Sequence, residues 1–371
     1  MIKILMVTQQ NETGLTYHRQ SVPHRHLQAN YSEYIVDITY DVSEATKEQL
    51  SEYQIVSFLR IVDTQFRTEQ IIQNCKDAGC KVVIDIDDYW NLNPTHELYK
   101  AYSDNKIPEQ TIAGLKNADW VTTTTEHFAD KIREYNTNVT ILPNSIYDFE
   151  PQFNPEPTYS DRVRFGYIAG VFHVPDAKLM YEGMKEVHKK IKKDKYQFCL
   201  GGFSNNESYK FIEFMFSDQY KALTNDYREY LAKYSEEDNH IGDSQNYKRL
   251  WGKDVFNYAR LYNDIDVALV PLVENSFNSC KSQIKIIEAG WFKKPVIASN
   301  VMPYTIDCNK KNSILISPGK NKDWGIAIKS LILNPNKADD LAEALHQHVK
   351  ANYNMDKVNV VRNELYKRIC E

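Results

Sequence analysis

Residues 277–290 read Phe-Asn-Ser-Cys-Lys-Ser-Gln-Ile-Lys-Ile-Ile-Glu-Ala-Gly and lie between two short apolar runs at 267–271 and 295–299. An apolar run, a polar loop, an amphipathic stretch and a second apolar run together predict a strand, a helix and a further strand. The same alternation recurs along the whole chain, as is typical of parallel sheets with crossover helices. The pattern therefore predicts an α/β fold.

Apolar, β-branched runs of strand length occur in both halves of the chain. In the first half, strands are predicted at 3–8, 34–38, 54–59, 81–86, 120–124 and 139–142. In the second half, strands are predicted at 164–168, 196–200, 267–271, 295–299 and 313–316. Most of the segments between them are long enough for a crossover helix, so each half predicts one parallel sheet.

A proline-rich stretch at 143–159 separates the two sets of strands. Proline fixes φ and cannot extend a hydrogen-bonded ladder, so the stretch predicts a connection between domains. We predict domains at 1–150 and 151–354 and a C-terminal helix at 355–371, for which a return to the first domain is an open alternative. Apolar residues at helical spacing within 205–253 predict inserted helices in the second domain.

Composition and charge argue against several classes of protein. The net charge of −5 does not favour a nucleic-acid-binding protein, which usually carries a basic surplus. The six cysteines form no Cys-x-x-Cys pair, so zinc and redox motifs lack support. The absence of a glycine-rich dinucleotide or phosphate-loop motif counts against oxidoreductases and ATPases. With no signal-peptide pattern and no apolar run of roughly 20 residues, we expect a cytoplasmic protein without a membrane span.

The residue types of 277–290 suit a nucleotide. On one continuous helix, Lys281, Lys285 and Glu288 fall at i, i+4 and i+7 and share a face. A helix N-terminus attracts a diphosphate, and Lys281 and Ser282 would add a charge and a hydroxyl donor there. Glu288 could accept hydrogen bonds from ribose hydroxyls. A solvated face with ordinary Lys–Glu pairs is the alternative.

Two glycine-bearing loops follow predicted strands, at the carboxyl ends where open α/β sheets bind ligands. In the second half, Gly170 allows close approach of a ligand to the backbone, and His173 could donate to a phosphate oxygen. A strand-end turn with a surface histidine is the alternative. In the first half, the loop residues that should face the acceptor or a phosphate, unless the arginine pairs locally, are Gly14, Tyr17, His18 and Arg19.

Three carboxylates, Asp85, Asp87 and Asp88, come at the end of a strongly apolar predicted strand. They repel one another unless a metal, sugar hydroxyls or nearby cations compensate their charge. Asp87 or Asp88 could act as a general base toward an acceptor hydroxyl, and a cap of the following helix is the alternative. After the next strand, His127 is a candidate sugar contact, and Thr125 predicts a helix N-cap.

The stretch 277–290 resembles the donor-site helix of GT-B glycosyltransferases, especially relatives of glycosyltransferase family 4. Bacterial and phage members carry a Phe-Asn-x-x-Lys-Ser-x-x-Lys-x-x-Glu-like stretch followed by a Pro-Val-Ile strand, and residues 294–299 read Lys-Pro-Val-Ile-Ala-Ser. The Gly-x-x-Tyr-x-Arg pattern at 14–19 and the Pro-Asn pair at 143–144 are similar to this family too. The resemblance implies the GT-B architecture, in which two Rossmann-like, doubly wound parallel-sheet domains face a central cleft.

For individual residues, the resemblance implies that Lys281 and Ser282 meet the nucleotide diphosphate and that Glu288 meets the ribose. It also implies that Gly170 lies beside the donor phosphates. The family pattern has a glutamate where this chain has Cys280, which puts a contact between that position and the donor sugar in question.

The function implied is transfer of a hexose or pentose from a nucleotide sugar to a hydroxyl acceptor, with retention at the anomeric carbon. We expect a UDP-sugar, with a GDP-sugar as the alternative, and no metal or other cofactor. The expected acceptor is a surface polysaccharide or lipid-linked glycan, which would bring the enzyme to the membrane surface. A phage-type enzyme acting on a modified DNA base is one alternative. A nucleotide-sugar-binding protein without turnover is another, and the sequence does not indicate the oligomeric state.

Overall fold

The structure, a computed structural model, describes residues 1–217 and 246–371. Within these residues the strands are β1 Ile2–Val7, β2 Tyr34–Thr39, β3 Ile55–Leu59, β4 Lys81–Asp85, β5 Trp120–Thr123, β6 Val139–Ile141, β7 Val163–Ile168, β8 Tyr196–Phe203, β9 Tyr247–Trp251, β10 Val267–Val270, β11 Val296–Ser299 and β12 Ile314–Ile316.

The α-helices of the described residues are α1 Gly14–Thr16, α2 Val22–Asn30, α3 Lys47–Leu50, α4 Thr68–Asp77, α5 Tyr99–Asp104, α6 Ile107–Asn117, α7 Glu126–Arg133, α8 Val174–Lys178, α9 Tyr181–Lys190, α10 Glu207–Phe216, α11 Ser276–Ser279, α12 Ile284–Trp291, α13 Asp323–Leu333, α14 Pro335–Asn352 and α15 Met355–Cys370. A π-helical turn, Tyr17–Ser21, joins α1 to α2. Short 3-10 helices occupy Pro151–Phe153, Val171–His173, Lys193–Lys195, Tyr258–Asp264 and Tyr304–Ile306.

The chain forms two compact units. The first contains Met1–Tyr147, Asn275–Ser282 and Tyr353–Glu371, and the second contains Asp148–Glu274 and Gln283–Asn352. The grouping differs from the predicted domains at one internal place, because eight residues from the middle of the predicted second domain pack with the first unit. These residues include part of the stretch that predicted a nucleotide site.

The first unit is built on a six-stranded sheet in the order β2-β1-β3-β4-β5-β6, and all its strands are parallel. Its central strand β3 is buried along its whole length, which explains its continuous apolar sequence. The chain leaves β1 in one direction for β2 and then crosses back to β3. The topological switch point, where open α/β sheets bind ligands, therefore lies between β1 and β3.

Helix α15 packs against α2 within the first unit. The His24 ring lies 2.9 Å from the Tyr366 hydroxyl, and the Asn359 amide donates to the Pro23 carbonyl at 2.8 Å. Leu365 and Ile369 join the apolar cluster beneath β1. The C-terminal helix is thus an integral part of the first unit's core.

The second unit is built on another parallel sheet, in the order β12-β11-β10-β7-β8-β9. Counted from β7, this is the 3-2-1-4-5-6 order of dinucleotide-binding folds, with its switch point between β7 and β10. The prediction of an α/β fold with two doubly wound parallel sheets is confirmed. All eleven predicted strands occur, with boundaries within three residues of those predicted.

One strand was missed, and it lies in the stretch 205–253 that predicted inserted helices. Helix α10 fits that prediction, and residues 218–245, including Tyr220 and Leu223, lie outside the described residues. The last part of the stretch is instead β9. Its Arg249 is buried, and the guanidinium donates to the Glu213 carboxylate at 2.7 Å. Because this buried position is occupied by a charged residue, the sequence lacks the apolar run that predicts a strand.

Helices α9 and α13 approach each other at two glycines. A Cβ built on Gly183 would lie 2.4 Å from the Gly325 backbone nitrogen, closer than packed atoms allow. We expect Gly183→Ala to lower the free energy of unfolding by about 1–3 kcal/mol, because the helices must move apart. Gly14→Ala is the control, since a Cβ there meets no atom within 4 Å. Equal denaturation midpoints for the two variants would contradict the packing described.

Candidate active site

The stretch 277–290 is not one helix. Helix α11 ends at Ser279, and α12 begins at Ile284. Lys281 and Ser282 lie in the turn between them, so the prediction that Lys281 shares a helix face with Lys285 and Glu288 was wrong.

Tertiary contacts explain the break between the two helices. The Cys280 side chain is buried in the first unit's core with Trp90 and Phe128. The Asn144 amide holds Ser282 by donating to its hydroxyl at 2.8 Å. These contacts override the helical pattern of the sequence.

The first unit brings Asp87, Asp88 and Lys281 together. They meet around Arg60, which sequence reasoning missed. Its Nε donates to Asp87 Oδ1 and its Nη2 to Asp88 Oδ2, both at 2.6 Å. Lys281 Nζ lies 3.4 Å from Asp88 Oδ1 and 4.5 Å from the centroid of the Phe277 ring. Cations from two distant segments therefore compensate the two carboxylates.

The pKa values of the two carboxyl groups are shifted in opposite directions. Burial raises the pKa of Asp87, and the neighbouring Asp88 charge adds to this while Arg60 opposes it. Burial would also raise the pKa of Asp88, but Arg60 and Lys281 outweigh it and lower that pKa. Asp87 is thus the better proton acceptor of the pair, and Asp88 is the more firmly anionic partner.

The backbone of Arg60 is strained. Its φ is +61°, in the left-handed region that disfavours residues with a Cβ. Its N–H donates to the Asp85 carbonyl at 2.8 Å, which fixes the residue directly after β3 at the switch point of the sheet. Strain of this kind collects at functional sites. In the sequence, the only indication that Arg60 belongs to the site is its position as a polar residue directly after a strand.

Arg19 is fully engaged inside the first unit. It forms a two-pronged ion pair with Asp85, with Nε at 2.8 Å and Nη2 at 2.7 Å from the carboxylate oxygens. Its Nη1 donates to the Leu142 carbonyl at 2.7 Å and to Asn144 at 3.1 Å. Asp85 also accepts a hydrogen bond from Thr122 at 2.6 Å. Arg19 therefore pairs inside the fold, as the alternative for it had it, but its partner is 66 residues away and not local. The pair ties the loop after β1 to the ends of β4 and β5.

The other residues of the first loop differ in exposure. Tyr17 is buried, and its ring packs edge-on against His18 with centroids 5.1 Å apart. Burial, helped by the Arg19 charge, lowers the pKa of His18 to about 4, so this imidazole is neutral at physiological pH. Gly14 is exposed at the start of α1.

His127 lies near the start of α7. Its Nε2 is 3.2 Å from the Ser279 hydroxyl, so it too meets the segment Asn275–Ser282. Thr125 caps the helix by accepting a hydrogen bond from the Phe128 N–H at 3.3 Å, which confirms the predicted N-cap.

In the second unit, Gly170 and His173 follow β7 at the switch point. His173 Nδ1 lies 2.7 Å from one Asp176 oxygen, and the other oxygen accepts from the Val273 N–H at 2.7 Å. Val273 follows β10, so the buried Asp176 carboxylate joins the two loops that flank the switch point. Tyr167 donates to the His173 carbonyl at 3.0 Å and fixes the turn from below.

Helix α12 presents Lys285 and Glu288. The Lys285 ammonium lies 5.7 Å from the centroid of the Tyr167 ring, so Lys285 and His173 contact the same tyrosine. Glu288 is 4% exposed and accepts hydrogen bonds from the hydroxyls of Tyr258 and, at 3.1 Å, Tyr262. Burial raises the pKa of Glu288 to about 7, although both tyrosines and Lys285 oppose the shift.

Within residues 1–217 and 246–371, no group of three or more histidine, cysteine, aspartate or glutamate side chains is arranged to hold a metal ion. The helices in the same part of the chain include none that is both long and apolar enough to cross a membrane.

One protein family has a model that matches part of the chain. Residues 224–334, which include Lys285 and Glu288, match the model of the family described as glycosyl transferases group 1. No curated protein sequence matches the chain.

Solved structures share the fold over the full length. Sucrose-phosphate synthase from Thermosynechococcus elongatus aligns with a TM-score of 0.64 and 14% identity over 100% of this chain and 99% of that one. HepE from Anabaena, in complex with UDP and glucose, aligns with a TM-score of 0.64 and 11% identity over 99% of this chain and 100% of its own. A glycosyltransferase from Rickettsia africae ESF-5 aligns with a TM-score of 0.64 and 12% identity over 100% of this chain and 99% of that one.

At these identities the structural similarity establishes the fold, which is the GT-B fold. Together with the match over 224–334, it supports the predicted class of enzyme, a nucleotide-sugar-dependent glycosyltransferase. The predicted class of enzyme is therefore confirmed, and the resemblance to family 4 is consistent with it.

The strain at Arg60 predicts an unusual order of stabilities. Arg60→Ala and Arg60→Gly both remove the ion pairs, so both should lower turnover and the free energy of unfolding. The glycine variant should nevertheless be about 1 kcal/mol more stable than the alanine variant, because glycine adopts positive φ without strain. Chemical denaturation of the purified variants measures the difference.

Arg133 provides a matched control, because it also donates to two carboxylates, those of Glu126 and Asp130, both at 2.6 Å. It lies within α7, where glycine is less favourable than alanine. Arg133→Gly should therefore be less stable than Arg133→Ala, the opposite order. The same order at both positions would show that the Arg60 backbone is not strained.

Proposed function

We propose that the enzyme transfers a sugar from a UDP-sugar to a hydroxyl of a glycan or a lipid-linked glycan precursor, in the cytoplasm and with retention at the anomeric carbon. The observation that carries the proposal is the buried Glu288 carboxylate on α12, within the part of the chain that matches glycosyl transferases group 1. HepE, whose fold is similar, is known in complex with UDP and glucose. This supports UDP rather than GDP as the nucleotide.

On the donor side, we assign the diphosphate to the loops at the switch point of the second sheet and to the start of α12. Gly170 lets phosphate oxygens approach the backbone, and His173, oriented by Asp176, would donate to one of them. Lys285 would add a cationic donor, and the sequence resemblance assigns a charge and a hydroxyl donor for the diphosphate to Lys281 and Ser282. These groups would stabilise the charge on the departing diphosphate, so the proposed mechanism uses no metal.

The ribose is assigned to Glu288. A carboxylate has about four acceptor sites, and the two tyrosine hydroxyls occupy one on each oxygen. Hydrogen bonds from ribose hydroxyls would add to these two. The two tyrosines also hold the carboxylate in one orientation, which reduces the entropy lost on binding.

The acceptor is assigned to the first unit, around the carboxyl ends of β1, β3 and β4. Asp87, with its raised pKa, is suited to accept a proton or hydrogen bond from the attacking hydroxyl. Asp88, Arg60 and His127 would orient the acceptor sugar. Gly14, Tyr17 and the neutral His18 would shape the entry to this place, and Arg19 would hold the loop without touching substrate.

The two alternative functions differ in what they require. A DNA-base glycosyltransferase would need a basic surface, which the net charge of −5 does not favour. A binding protein without turnover is motivated by Cys280, which stands where the family has a glutamate and is buried in the first unit's core. A donor sugar would therefore have to be held by other groups.

A panel of nucleotide sugars, read by release of the nucleoside diphosphate, tests the proposal. We expect release of UDP from at least one UDP-sugar, accelerated by a glycan or polyprenyl-linked acceptor. Preferential transfer to duplex DNA with modified bases would favour the DNA alternative. Nucleotide binding without any release would favour the binding protein. A chain whose melting temperature is raised by none of UDP, GDP, ADP and CMP would overturn the donor site.

Glu288 predicts a pH dependence of donor binding. The carboxylate form accepts hydrogen bonds from both ribose hydroxyls, whereas protonation removes acceptor capacity. With a pKa of about 7, the affinity for a UDP-sugar should be full above that pH and should weaken as the pH falls through 7. Glu288→Gln should bind more weakly and lose this dependence. Calorimetric titration at pH 6, 7 and 8 measures both effects.

The ligand for this experiment is a UDP-sugar and not UDP, because a terminal phosphate itself titrates near pH 6. Lys281→Ala serves as a comparison, since it should weaken the affinity at every pH and leave the shape of the profile unchanged. If Glu288→Gln keeps the wild-type profile, the carboxylate does not contact the ribose.

A further inference from the structure

We infer that Asp307 and His348 are positioning residues for the donor nucleotide, because they fix the start of α12 from outside the proposed binding site. The inference rests on the proposed function, in which α12 carries Lys285 and Glu288. No sequence motif indicated either residue. Both lie in the second unit, on segments that follow α12 in the chain.

Asp307 is a buried carboxylate with a partner on each oxygen. The Gln283 side-chain amide donates to Oδ2 at 2.9 Å, and His348 Nε2 lies 2.6 Å from Oδ1. The Asn312 amide donates to the Asp307 carbonyl at 2.8 Å and holds its backbone. The carboxylate therefore links the C-terminal part of α14 to the residue directly before α12.

Gln283 is the N-cap residue of α12, yet its side chain makes no capping hydrogen bond to its own helix. An N-cap side chain ordinarily accepts from the first turn of the helix. Here the amide turns outward to Asp307, and Gln283 itself is buried. The start of α12 is thus fixed by a carboxylate whose own position depends on His348.

The position of this first turn matters for the donor. Lys285 and Glu288 follow Gln283 by two and five residues, which is less than one and a half turns of helix. A displacement of the first turn moves both side chains relative to the switch-point loops. Misplacement of a binding group by a fraction of an ångström weakens charge-assisted hydrogen bonds, whose geometry is strict.

The other end of α12 is held by different contacts of the same helix α14. A Cβ on Gly290 would lie 2.6 Å from the Val349 side chain, so the two helices touch closely there. His346 Nδ1 lies 2.9 Å from the Gly290 carbonyl, and the Lys350 ammonium lies 3.3 Å from the centroid of the Trp291 ring. His346 therefore supports the far end of α12, while His348 supports the end where the donor phosphates are assigned.

The two histidines provide a matched pair of variants. His348→Ala should weaken binding of UDP about 2- to 10-fold, the effect of losing one hydrogen bond that orients the site. His348→Gln keeps an N–H donor for Asp307 and should restore the affinity to within about twofold. His346→Ala, on the same helix, should leave the affinity for UDP unchanged. Calorimetric titration of UDP at pH 8, well below each variant's melting temperature, measures these values.

Melting temperatures of the same variants separate positioning from general support. A purely structural role would lower the melting temperature of His348→Ala and leave the affinity of the folded protein for UDP unchanged, which would overturn the inference. Equal losses of affinity in His346→Ala and His348→Ala would also overturn it, because the effect would then be one of helix packing.

Glu288→Ala distinguishes failure of this inference from failure of the donor site. If Glu288→Ala weakens UDP binding and His348→Ala does not, only the inference is overturned. If neither variant changes the affinity, α12 does not bind the nucleotide, and the proposed donor site and the inference both fail.

Discussion

Three carboxylates at the carboxyl end of β4 can lie together because three cations reach them from elsewhere in the first unit. Arg19 comes from the loop after β1 and pairs with Asp85. Arg60 follows β3 and pairs with the next two aspartates, and Lys281 arrives from the segment Asn275–Ser282. Buried carboxylates without such partners would be protonated or would disrupt the fold. This compensation gathers the loops at the switch point of the first sheet into one polar cluster.

The second unit also uses buried carboxylates to hold its loops. Asp176 joins the loops after β7 and β10 through His173 and the Val273 N–H. Glu288 draws Tyr258 and Tyr262 onto α12, and burial keeps its pKa near neutrality. In both units, the strands supply a rigid frame, and buried acidic groups fix the geometry of the loops that the frame presents.

Much of the fold could be predicted from the sequence. Strand positions followed from short apolar runs, and the order of runs and amphipathic stretches gave two parallel sheets. The missed strand β9 shows the limit, because Arg249 interrupts its apolar pattern and pairs with Glu213, 36 residues earlier. Such a pair leaves no trace in local periodicity.

For the candidate site, the order of residues along the chain was enough to show which residue types stand at the carboxyl ends of strands: Asp87 and Asp88 after β4, Gly170 and His173 after β7, and a lysine- and glutamate-bearing stretch after β10. Their hydrogen-bond partners and their pKa values depend on the folded chain. The tertiary structure broke the stretch 277–290 into two helices by burying Cys280, and it assigned Arg19 to Asp85. It also brought in Arg60, whose position in the sequence carried no motif. The local sequence pattern indicates which face of a helix or strand is apolar. The ion pairs of the site join residues that are separated by 27, 66 and 193 positions in the chain, so they form only when folding brings their segments together.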